Sequence, residues 1–552
     1  MTDEAINREQ SSDDPGGEPG VEQFVRHART FAGLTLLSRL SGLARDAMWS
    51  RVFSAGDTLS AFVVAFAIPN LFRRLFGEGA LSAAFLPEYA KLHQQSPKEA
   101  ARFASAMVAL LALGLGLVML LGEGVLAVLL LATPLGESGA LAIKLSMITL
   151  PYMPLVCIVA LLAGMLQTHG RFALPAAAPI ALNIVLIAAT TIGAFVIAGS
   201  LTTTAILLAI GVPLAGLAQI AMMALALRGA SAWAGALTGA SEPIRRTLGT
   251  LGPALVGLGA LQISSLLDQL IAGWPVIVGD TIALPGRGPV AFPLGEGAAS
   301  TLFFAQRLYQ FPTGVFGIAI ATAIFPALAR AAAAPDAFLS TIRRGVRLSL
   351  FIGLPATLGL IAVRRELVAV VYQGGAFTGD ETTAVAFTLL GYAVAVWAYT
   401  MSHTLTRGFF ALGDTKTPMR ISLVAVACNL ALNLTLIWPL GVAGLAWATA
   451  ITATGQTIAL TITSHRKLHE PIFDRATRDS ALVSIGVAGV MYAALLAIRS
   501  APLPGGSWTG NAVSLVILVG AGAAVYLAGA RALRRPELGW LLERSAAAEH
   551  RA

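Results

Sequence analysis

Residues 38–89 read SRLSGLARDAMWSRVF (38–53), SAGD (54–57) and TLSAFVVAFAIPNLFRRLFGEGALSAAFLPEY (58–89). The two apolar runs on either side of SAGD are each long enough to cross the ~30 Å hydrocarbon core of a bilayer as a helix. Both runs also contain charged side chains: Arg39, Arg45, Asp46, Arg51, Arg73, Arg74 and Glu78. The stretch therefore predicts a pair of membrane helices that carry charges at bilayer depth.

Charges at this depth need a physical reason. An arginine at the centre of a membrane helix costs at least ~2.5–3.5 kcal/mol on insertion scales, so it usually faces a watery cavity or a partner. We interpret these arginines as one wall of a cationic cavity that holds an anion. The alternative is that they extend to the headgroups. That suits Arg51, beside SAGD, better than Arg39, which follows roughly 15 Å of helix.

The composition of the chain is that of a polytopic membrane protein. Of its 552 residues, 56% are hydrophobic and 12% are charged, which excludes an ordinary soluble domain. The net charge of +8 is attributed to basic cytoplasmic loops, so we expect no nucleic-acid partner. Cys157 and Cys428 both fall in apolar runs and are predicted to be small core residues without a disulfide or a metal.

Fourteen apolar runs predict an all-α protein with fourteen transmembrane helices. The N-terminal residues are acidic and rich in proline and glycine, which is typical of disorder, and the first run is expected to insert as an anchor because no signal peptide precedes it. Kinks are predicted at Pro69, Pro151, Pro154, Pro312 and Pro355. The predicted spans are 29–53, 58–90, 103–132, 140–166, 173–197, 203–227, 248–274, 298–328, 338–363, 381–406, 417–438, 442–464, 479–498 and 511–530.

The distribution of basic residues predicts the orientation. With both termini in the cytoplasm, 26 Lys and Arg fall on the inner connections and tails and 4 fall on the outer side. This asymmetry agrees with the positive-inside rule. The four outer residues are Arg287, Arg364, Arg365 and Arg499. The seven that remain inside spans are Arg39, Arg45, Arg51, Arg73, Arg74, Lys144 and Arg307.

An internal repeat predicts two lobes. Three pairs of residues recur at a spacing of 243: Pro69 and Pro312, Gly170 and Gly413, and Pro175 and Pro418. Asn183 and Asn429 follow the two matching turns. Two six-helix lobes in parallel orientation follow, with the substrate between them. The predicted division is a disordered cytoplasmic tail (1–28), an N-lobe (29–230), a C-lobe (231–470), two appended helices (471–535) and a cytoplasmic tail (536–552). Residues 275–299 are predicted to form an outer hairpin around PGRG.

Span eight carries Arg307 between Gln306 and the glutamine at position 310, without an acid on its own helix. The repeat places span eight opposite span two, so Arg307 is expected to approach the other arginines. Guanidiniums that converge from two sides suit a diphosphate, because arginine binds two phosphate oxygens at once. The alternative is a packing arginine paired with Glu78 or Asp46.

A second polar set lies on three other spans. Asp268 is the lone acid of span seven, Asn429 and Asn433 lie one turn apart in span eleven, and Thr449 is in span twelve. Carboxylate, amide and hydroxyl oxygens together suit a monovalent cation such as Na⁺. A hydrogen-bonded cluster that holds helices together is the alternative.

Signs of catalysis are absent from the sequence. Its seven histidines are scattered, with only His403 inside a span. We find no P-loop, HExxH, CxxC or G-x-S-x-G motif. An enzyme that acts on lipid diphosphates would need a nucleophile or a metal site, and a cationic-drug antiporter would need acids in its cavity. We therefore expect neither of these two functions, and we predict that the protein is not an enzyme.

Three stretches resemble the MurJ (MviN) lipid II flippases of the multidrug/oligosaccharidyl-lipid/polysaccharide exporter superfamily. They are SRLSGLARDAMWSRVFSAG (38–56), AFVVAFAIPNLFRRLFGEGALSAAFLPEYA (61–90) and FFAQRLYQFPTGVFGIAIATAIFPALA (303–329). The resemblance continues in order from about residue 29 to 535. It implies fourteen helices in two lobes around a cationic cavity, with a groove at the last two helices for the lipid tail.

The resemblance also implies a function. Members move undecaprenyl-diphosphate-linked peptidoglycan precursor, lipid II, from the inner to the outer leaflet of the bacterial cytoplasmic membrane by alternating access and without ATP. Implied partners are lipid II, membrane lipids and proteins of peptidoglycan synthesis. The family's substrate-binding positions fall on Arg39, Arg45, Arg73 and Arg307, with Arg74, Asp46 and Glu78 beside them. A Na⁺ site found in some members falls on Asp268, Asn429, Asn433, the Leu445 carbonyl and Thr449.

This chain departs from the family pattern at three positions. Ser60 stands where an aspartate is usual, and Gln306 stands where an acid usually precedes the arginine of span eight. Asn433 replaces an aspartate of a Na⁺-binding member, so the coupling ion stays open. The alternative function is a flippase for another polyprenyl-diphosphate-linked glycan of the O-antigen type.

Overall fold

A computed structural model describes residues 21–77, 80–228, 233–234, 239–283 and 288–541. Glu78, Arg287, residues 1–20 and the end of the chain from residue 542 lie outside the described residues. The described chain is helical apart from one short hairpin. This agrees with the predicted all-α class.

The helices follow one another with short connections. In the first half they are α1 (Val21–Phe53), α2 (Asp57–Phe72), α3 (Ala80–Gln95), α4 (Pro97–Ala132), α5 (Glu137–Thr149), α6 (Tyr152–Thr168), α7 (Ala173–Thr191) and α8 (Leu201–Ala226). In the second half they are α9 (Ser241–Ala272), α10 (Trp274–Ile277), α11 (Ala298–Pro312), α12 (Ile318–Ala331), α13 (Pro335–Tyr372), α14 (Gly379–Ala393), α15 (Val396–Ala411), α16 (Lys416–Leu440), α17 (Val442–Leu468), α18 (Arg475–Ser500) and α19 (Trp508–Ala532).

Twelve helical segments of the described chain are long and apolar enough to cross a membrane. On α4, Leu113, Leu120 and Leu131 are 76%, 62% and 87% exposed. Large apolar side chains turned outward in this way are suited to contact with lipid. The protein is therefore a multi-pass membrane protein. Helices α1 and α9 lie where spans one and seven are predicted, but neither is among the twelve.

Two of the predicted proline kinks coincide with π-helical turns. The turn Arg73–Gly77 follows Pro69, and the turn Thr313–Gly317 follows Pro312. Proline removes one backbone donor from the helix ladder, and a local π turn is a common way to accommodate the disturbance. Spans two and eight are thus built alike, as α–π–α. By contrast, α13 runs unbroken through Pro355.

A second pair from the repeat also shares its backbone geometry. Gly170 ends α6 with φ of 72°, and Gly413 ends α15 with φ of 73°. Glycine is the residue that closes a helix in this left-handed conformation without a Cβ penalty. The matched turns in sequence are therefore matched turns in structure.

The hairpin predicted within residues 275–299 is confirmed, while its location on the outer side stays a prediction. Strand β1 (Thr281–Ala283) pairs antiparallel with β2 (Pro289–Ala291), and Ile282 lies opposite Val290. Most of the connecting PGRG turn lies outside the described residues.

Two predictions are corrected. Helix α1 begins at Val21, so residues 21–28, predicted to belong to the disordered tail, are helical. No glycine or proline interrupts the chain between Gly20 and Gly33, and the helix can extend back to that point. Cys428 is exposed on α16, whereas Cys157 is buried. An apolar run in a membrane protein has a lipid-facing side, and Cys428 lies on it rather than in the core.

Packing between helices brings the polar positions together. Helix α1 packs along α7, and α9 packs along α16. In each predicted lobe, the first span therefore contacts the fifth span. Helix α2 contacts α11 across the two halves, while α13 contacts both appended helices, α18 and α19. Arginines on α1 and α11 are therefore able to meet.

Candidate functional site

Asp46 lies at the centre of the candidate site and is completely buried. Arg45 donates from Nε and Nη2 to Asp46 Oδ1, at 3.0 and 2.6 Å. From α11, Arg307 Nε donates to Asp46 Oδ2 at 2.7 Å. The pairing of Arg307 with Asp46, which the sequence left open as an alternative, is present. One carboxylate therefore joins the first half of the chain to the second.

Arg45 is enclosed by protein and only 4% exposed. Its Nη1 donates to Asn183 Oδ1 at 2.9 Å, and its guanidinium lies 4.5 Å from the centre of the Trp49 ring. Asn183 in turn donates to Ser41 Oγ at 2.9 Å. A buried arginine with these partners is satisfied without a ligand. In the sequence, Asn183 stands out only because it corresponds to Asn429 in the internal repeat.

Arg307 has a different environment. Its side chain keeps 34% of its surface exposed while its Nε holds Asp46. The Phe303 ring lies 5.9 Å from its guanidinium, one turn earlier on α11. Of the two arginines on Asp46, Arg307 is therefore the one placed to contact a ligand.

The other three predicted arginines are half-buried nearby. Arg39 of α1 lies against Gly314. A Cβ atom added at position 314 would come within 2.5 Å of the Arg39 Nη1 atom. In the turn after α2, Arg73 Nε donates to Asn70 Oδ1 at 3.0 Å. Arg74 Nη1 donates to Gln262 Oε1 on α9 at 3.3 Å.

The arginines are close enough to repel one another. Arg73 and Arg307 both lie within charge–charge range of Arg45. Together, five arginines (Arg39, Arg45, Arg73, Arg74 and Arg307) and one aspartate leave four positive charges. A cluster of this kind attracts a multivalent anion such as a diphosphate. Direct contact of each residue with a substrate stays a prediction, and Glu78 lies outside the described residues.

The second predicted set also comes together. Asp268, 3% exposed, accepts from Asn433 Nδ2 at 2.6 Å and from Thr449 Oγ1 at 3.4 Å. Thr449 Oγ1 also lies 2.9 Å from the Leu445 carbonyl, which can accept its single proton in place of Asp268. The Asn429 amide lies 3.0 Å from Ser264 Oγ. All five predicted positions thus share one buried cluster between α9, α16 and α17.

At two of the positions where this chain departs from the family pattern, the side chain has uncharged hydrogen-bond partners. Gln306 donates to the Tyr392 hydroxyl at 3.0 Å and accepts from Gln269 at 3.2 Å. Ser60 and Ser300 are hydrogen-bonded through their hydroxyls at 3.0 Å between α2 and α11. Uncharged partners suit these uncharged side chains, because a buried carboxylate would need a cation or further donors.

Comparison with known proteins gives consistent results. The model of the family described as lipid II flippase MurJ matches residues 49–507. The probable lipid II flippase MurJ of Vibrio cholerae is 32% identical over 528 residues, which cover 92% of this chain and 95% of that protein.

Solved structures show the same fold. A lipid II flippase MurJ in an inward closed conformation superposes with a TM-score of 0.72 at 23% identity, over 92% of this chain and 99% of that one. An inward-facing multidrug resistance MATE family transporter of the MOP superfamily has a TM-score of 0.64 at 13% identity, over 80% and 98%. The fold is therefore that of this transporter superfamily.

Proposed function

Because this chain belongs to the MurJ family of lipid II flippases, we infer that it moves lipid II from the inner to the outer leaflet of the cytoplasmic membrane for peptidoglycan synthesis. One observation supports this role from the side of the structure. Arg45 and Arg307, one from each half of the chain, share a single buried aspartate, and Arg73 lies within charge–charge range of Arg45. A diphosphate cannot cross hydrocarbon alone, because an unpaired charge there costs many kcal/mol. In the cavity, the guanidinium groups of the arginines take the place of the water that hydrates the diphosphate.

The Asp46–Arg307 pair suggests how binding connects to opening. It joins α1 to α11 and so holds the two halves together at this level. A diphosphate that binds Arg307 competes with Asp46 for the same guanidinium. Binding then loosens the contact between the halves, which is the differential affinity that a change of state requires. Asp46 takes Arg307 back after release, so the cycle is reversible.

The arrangement in the membrane is part of the proposal. Fourteen helices cross the inner membrane, with α1 and α9 as the two spans that add to the twelve recognised by length and hydropathy. Both termini lie in the cytoplasm, as the distribution of basic residues favours. Two parallel six-helix lobes surround the arginines, and α18 and α19 provide a groove for the lipid tail. The role is transport rather than catalysis, with lipid II, membrane lipids and peptidoglycan-synthesis proteins as partners.

A Na⁺ site fits the cluster around Asp268. The Asn433 Oδ1 atom is buried without a hydrogen-bond partner among the described atoms. A carboxylate, two amide carbonyls, a hydroxyl and the Leu445 carbonyl would supply oxygen ligands, which hard monovalent cations prefer. Asp268, Asn429, Asn433, Leu445 and Thr449 would hold the ion, which would neutralise the buried carboxylate and tie α9 to α16 and α17.

Depletion of the protein in growing cells tests the function. Lipid II is expected to accumulate in the inner leaflet while its synthesis continues, and the cells then lyse. The measurement is the share of lipid II that an externally added hydrolase can reach, in depleted and replete cells. If that share is unchanged and no second flippase is present, lipid II is the wrong substrate. A polyprenyl-linked glycan of the O-antigen type would then take its place.

A further inference from the structure

Basic residues on the predicted outer side gather at one place. By sequence only four fall on that side, and the structure describes three of them, Arg364, Arg365 and Arg499. All three lie toward the predicted outer ends of α13 and α18, which pack against each other. Lys and Arg are scarce on outer connections, so this clustering needs a physical reason.

Two of these residues line a cavity of about 320 Å³. Arg365 and Arg499 contribute to its wall together with the amides of Gln373 and Asn511. The first turns of α14 and α19 complete the wall, so two helix N-termini lie beside it. The first turn of α14 carries two carboxylates, whereas the first turn of α19 carries none, so the positive end of the α19 dipole is the one that favours an anion here.

The charges of the cavity are unequally satisfied. Arg499 pairs through Nη2 with Glu366 Oε1 at 2.9 Å and donates from Nη1 to the Ala362 carbonyl at 3.1 Å. Arg365 is exposed and makes no hydrogen bond or ion pair with any described residue. Arg365, Arg499 and Glu366 therefore leave one positive charge, on a guanidinium whose donors are open to a ligand.

We expect the cavity to lie at the depth of lipid headgroups. Beside it, Trp508 donates from Nε1 to the Val370 carbonyl at 3.0 Å while 55% of its side chain stays exposed. Tryptophan in this posture is typical of the membrane–water interface. Further along α19, Val513 and Val516 are 48% and 71% exposed. A lipid whose chains lie along this apolar surface would bring its phosphate to the cavity.

We propose that this cavity binds the phosphate group of a lipid in the outer leaflet, with Arg365 as the principal contact and Arg499, Gln373 and Asn511 as further donors. Two lipids supply that chemistry. One is a resident anionic phospholipid, and the other is the transported lipid, whose diphosphate arrives on this side after crossing. The second source rests on the proposed function. The site is separate from the arginines around Asp46.

Native mass spectrometry of the intact purified protein tests the site. The probes are phosphatidylglycerol, phosphatidylethanolamine as its zwitterionic counterpart, and lipid II. Arg365→Gln is expected to weaken phosphatidylglycerol binding by about tenfold or more, the loss of one charge-assisted phosphate contact. Arg364→Gln is the matched control, because it removes the same charge from the adjacent residue, which does not line the cavity. We expect Arg364→Gln to bind phosphatidylglycerol as the unmodified protein does. Phosphatidylethanolamine is expected to bind weakly to the unmodified protein and to both variants.

Competition identifies the source of the phosphate. If lipid II displaces phosphatidylglycerol and Arg365→Gln weakens both, the transported lipid occupies the site. If phosphatidylglycerol remains when lipid II binds, the occupant is the resident phospholipid. Equal phosphatidylglycerol affinity in the two variants, whether unchanged or lost in both, overturns the site. Because this readout needs no transport, a protein that binds phosphatidylglycerol through Arg365 but does not move lipid II contradicts the proposed function and leaves the site standing.

Discussion

Asp46 is shared by two arginines whose environments differ. Arg45 is 4% exposed and gives its donors to Asp46 and Asn183, whereas the Arg307 side chain is 34% exposed. We therefore expect Arg45 to position Asp46 and Arg307 to contact the diphosphate. The two arginines are equivalent by sequence, and only their burial separates their roles.

Arg307→Lys is expected to impair transport nearly as much as Arg307→Ala. A lysine ammonium is a point charge and lacks the planar fork that binds two phosphate oxygens. The control is Arg51→Lys, at an exposed position near the end of α1, where positive charge alone is needed. Complementation of a depletion strain, with protein levels matched, measures all three variants. Full complementation by Arg307→Lys would show that charge suffices and would contradict the bidentate contact.

Asp46→Asn is expected to lower the stability of the folded protein. Removal of one partner from a buried ion pair typically costs ~3–5 kcal/mol, because the remaining charge stays buried. Asp57→Asn removes the same charge from an exposed residue in the first turn of α2 and should cost far less. Thermal unfolding in detergent compares the two variants. Equal midpoints would mean that Asp46 is not needed to hold α1 and α11 together.

At the scale of elements, the chain after α19 forms a contact of its own. Residues 536–541 are helical and lie against α13 and α18. Glu537 is fully buried and accepts from Arg347 Nη2 at 2.7 Å and from Ser480 Oγ at 2.6 Å. The Arg344 guanidinium lies 4.5 Å from the centre of the Trp540 ring. This segment fastens the appended helices to α13.

Glu537→Gln is expected to destabilise the protein at neutral pH and to change its response to acid. Burial acts to raise the pKa of Glu537, but hydrogen bonds from Ser480 and Arg347 outweigh it and hold the pKa below its usual range. A lowered carboxyl pKa adds stability above the unfolded value of ~4.3, and this stability is lost as the pH falls through the folded pKa. Unfolding midpoints across pH measure the effect. The gap between Glu537→Gln and the unmodified protein should narrow as the pH falls below ~4.3, and a constant gap would contradict the ion pair.

Several elements were predictable from the sequence because their causes are local. The apolar runs, the turns at Gly170 and Gly413 and the hairpin of β1 with β2 all follow from neighbouring residues. Contacts between distant segments could not be predicted in this way. Glu537 and Arg347 are 190 positions apart, and Arg45 and Asn183 are 138 apart. The side of α16 that faces lipid depends on its neighbours too, and Cys428 was misplaced for that reason.

At the scale of the whole molecule, orientation can be tested without reference to function. In a background that lacks Cys157 and Cys428, single cysteines at His93 and Arg478 are expected to be protected from an impermeant thiol reagent in intact cells. Cysteines at Gly136 and Gly505, in exposed turns on the predicted outer side, are expected to react. The reason is the strong bias of basic residues toward one side. Labelling at position 93 from outside would invert or break the proposed topology.

Transport of lipid II in vesicles that contain only this protein is the direct test of the proposed function. Fluorescent lipid II is placed in both leaflets, and an impermeant reagent bleaches the outer one. With the unmodified protein or Arg364→Gln, the inner pool is expected to become accessible, whereas Arg307→Ala should leave it protected, as in empty vesicles. Protection with the unmodified protein, or equal bleaching with Arg307→Ala, would contradict the account that the arginines around Asp46 carry the diphosphate across.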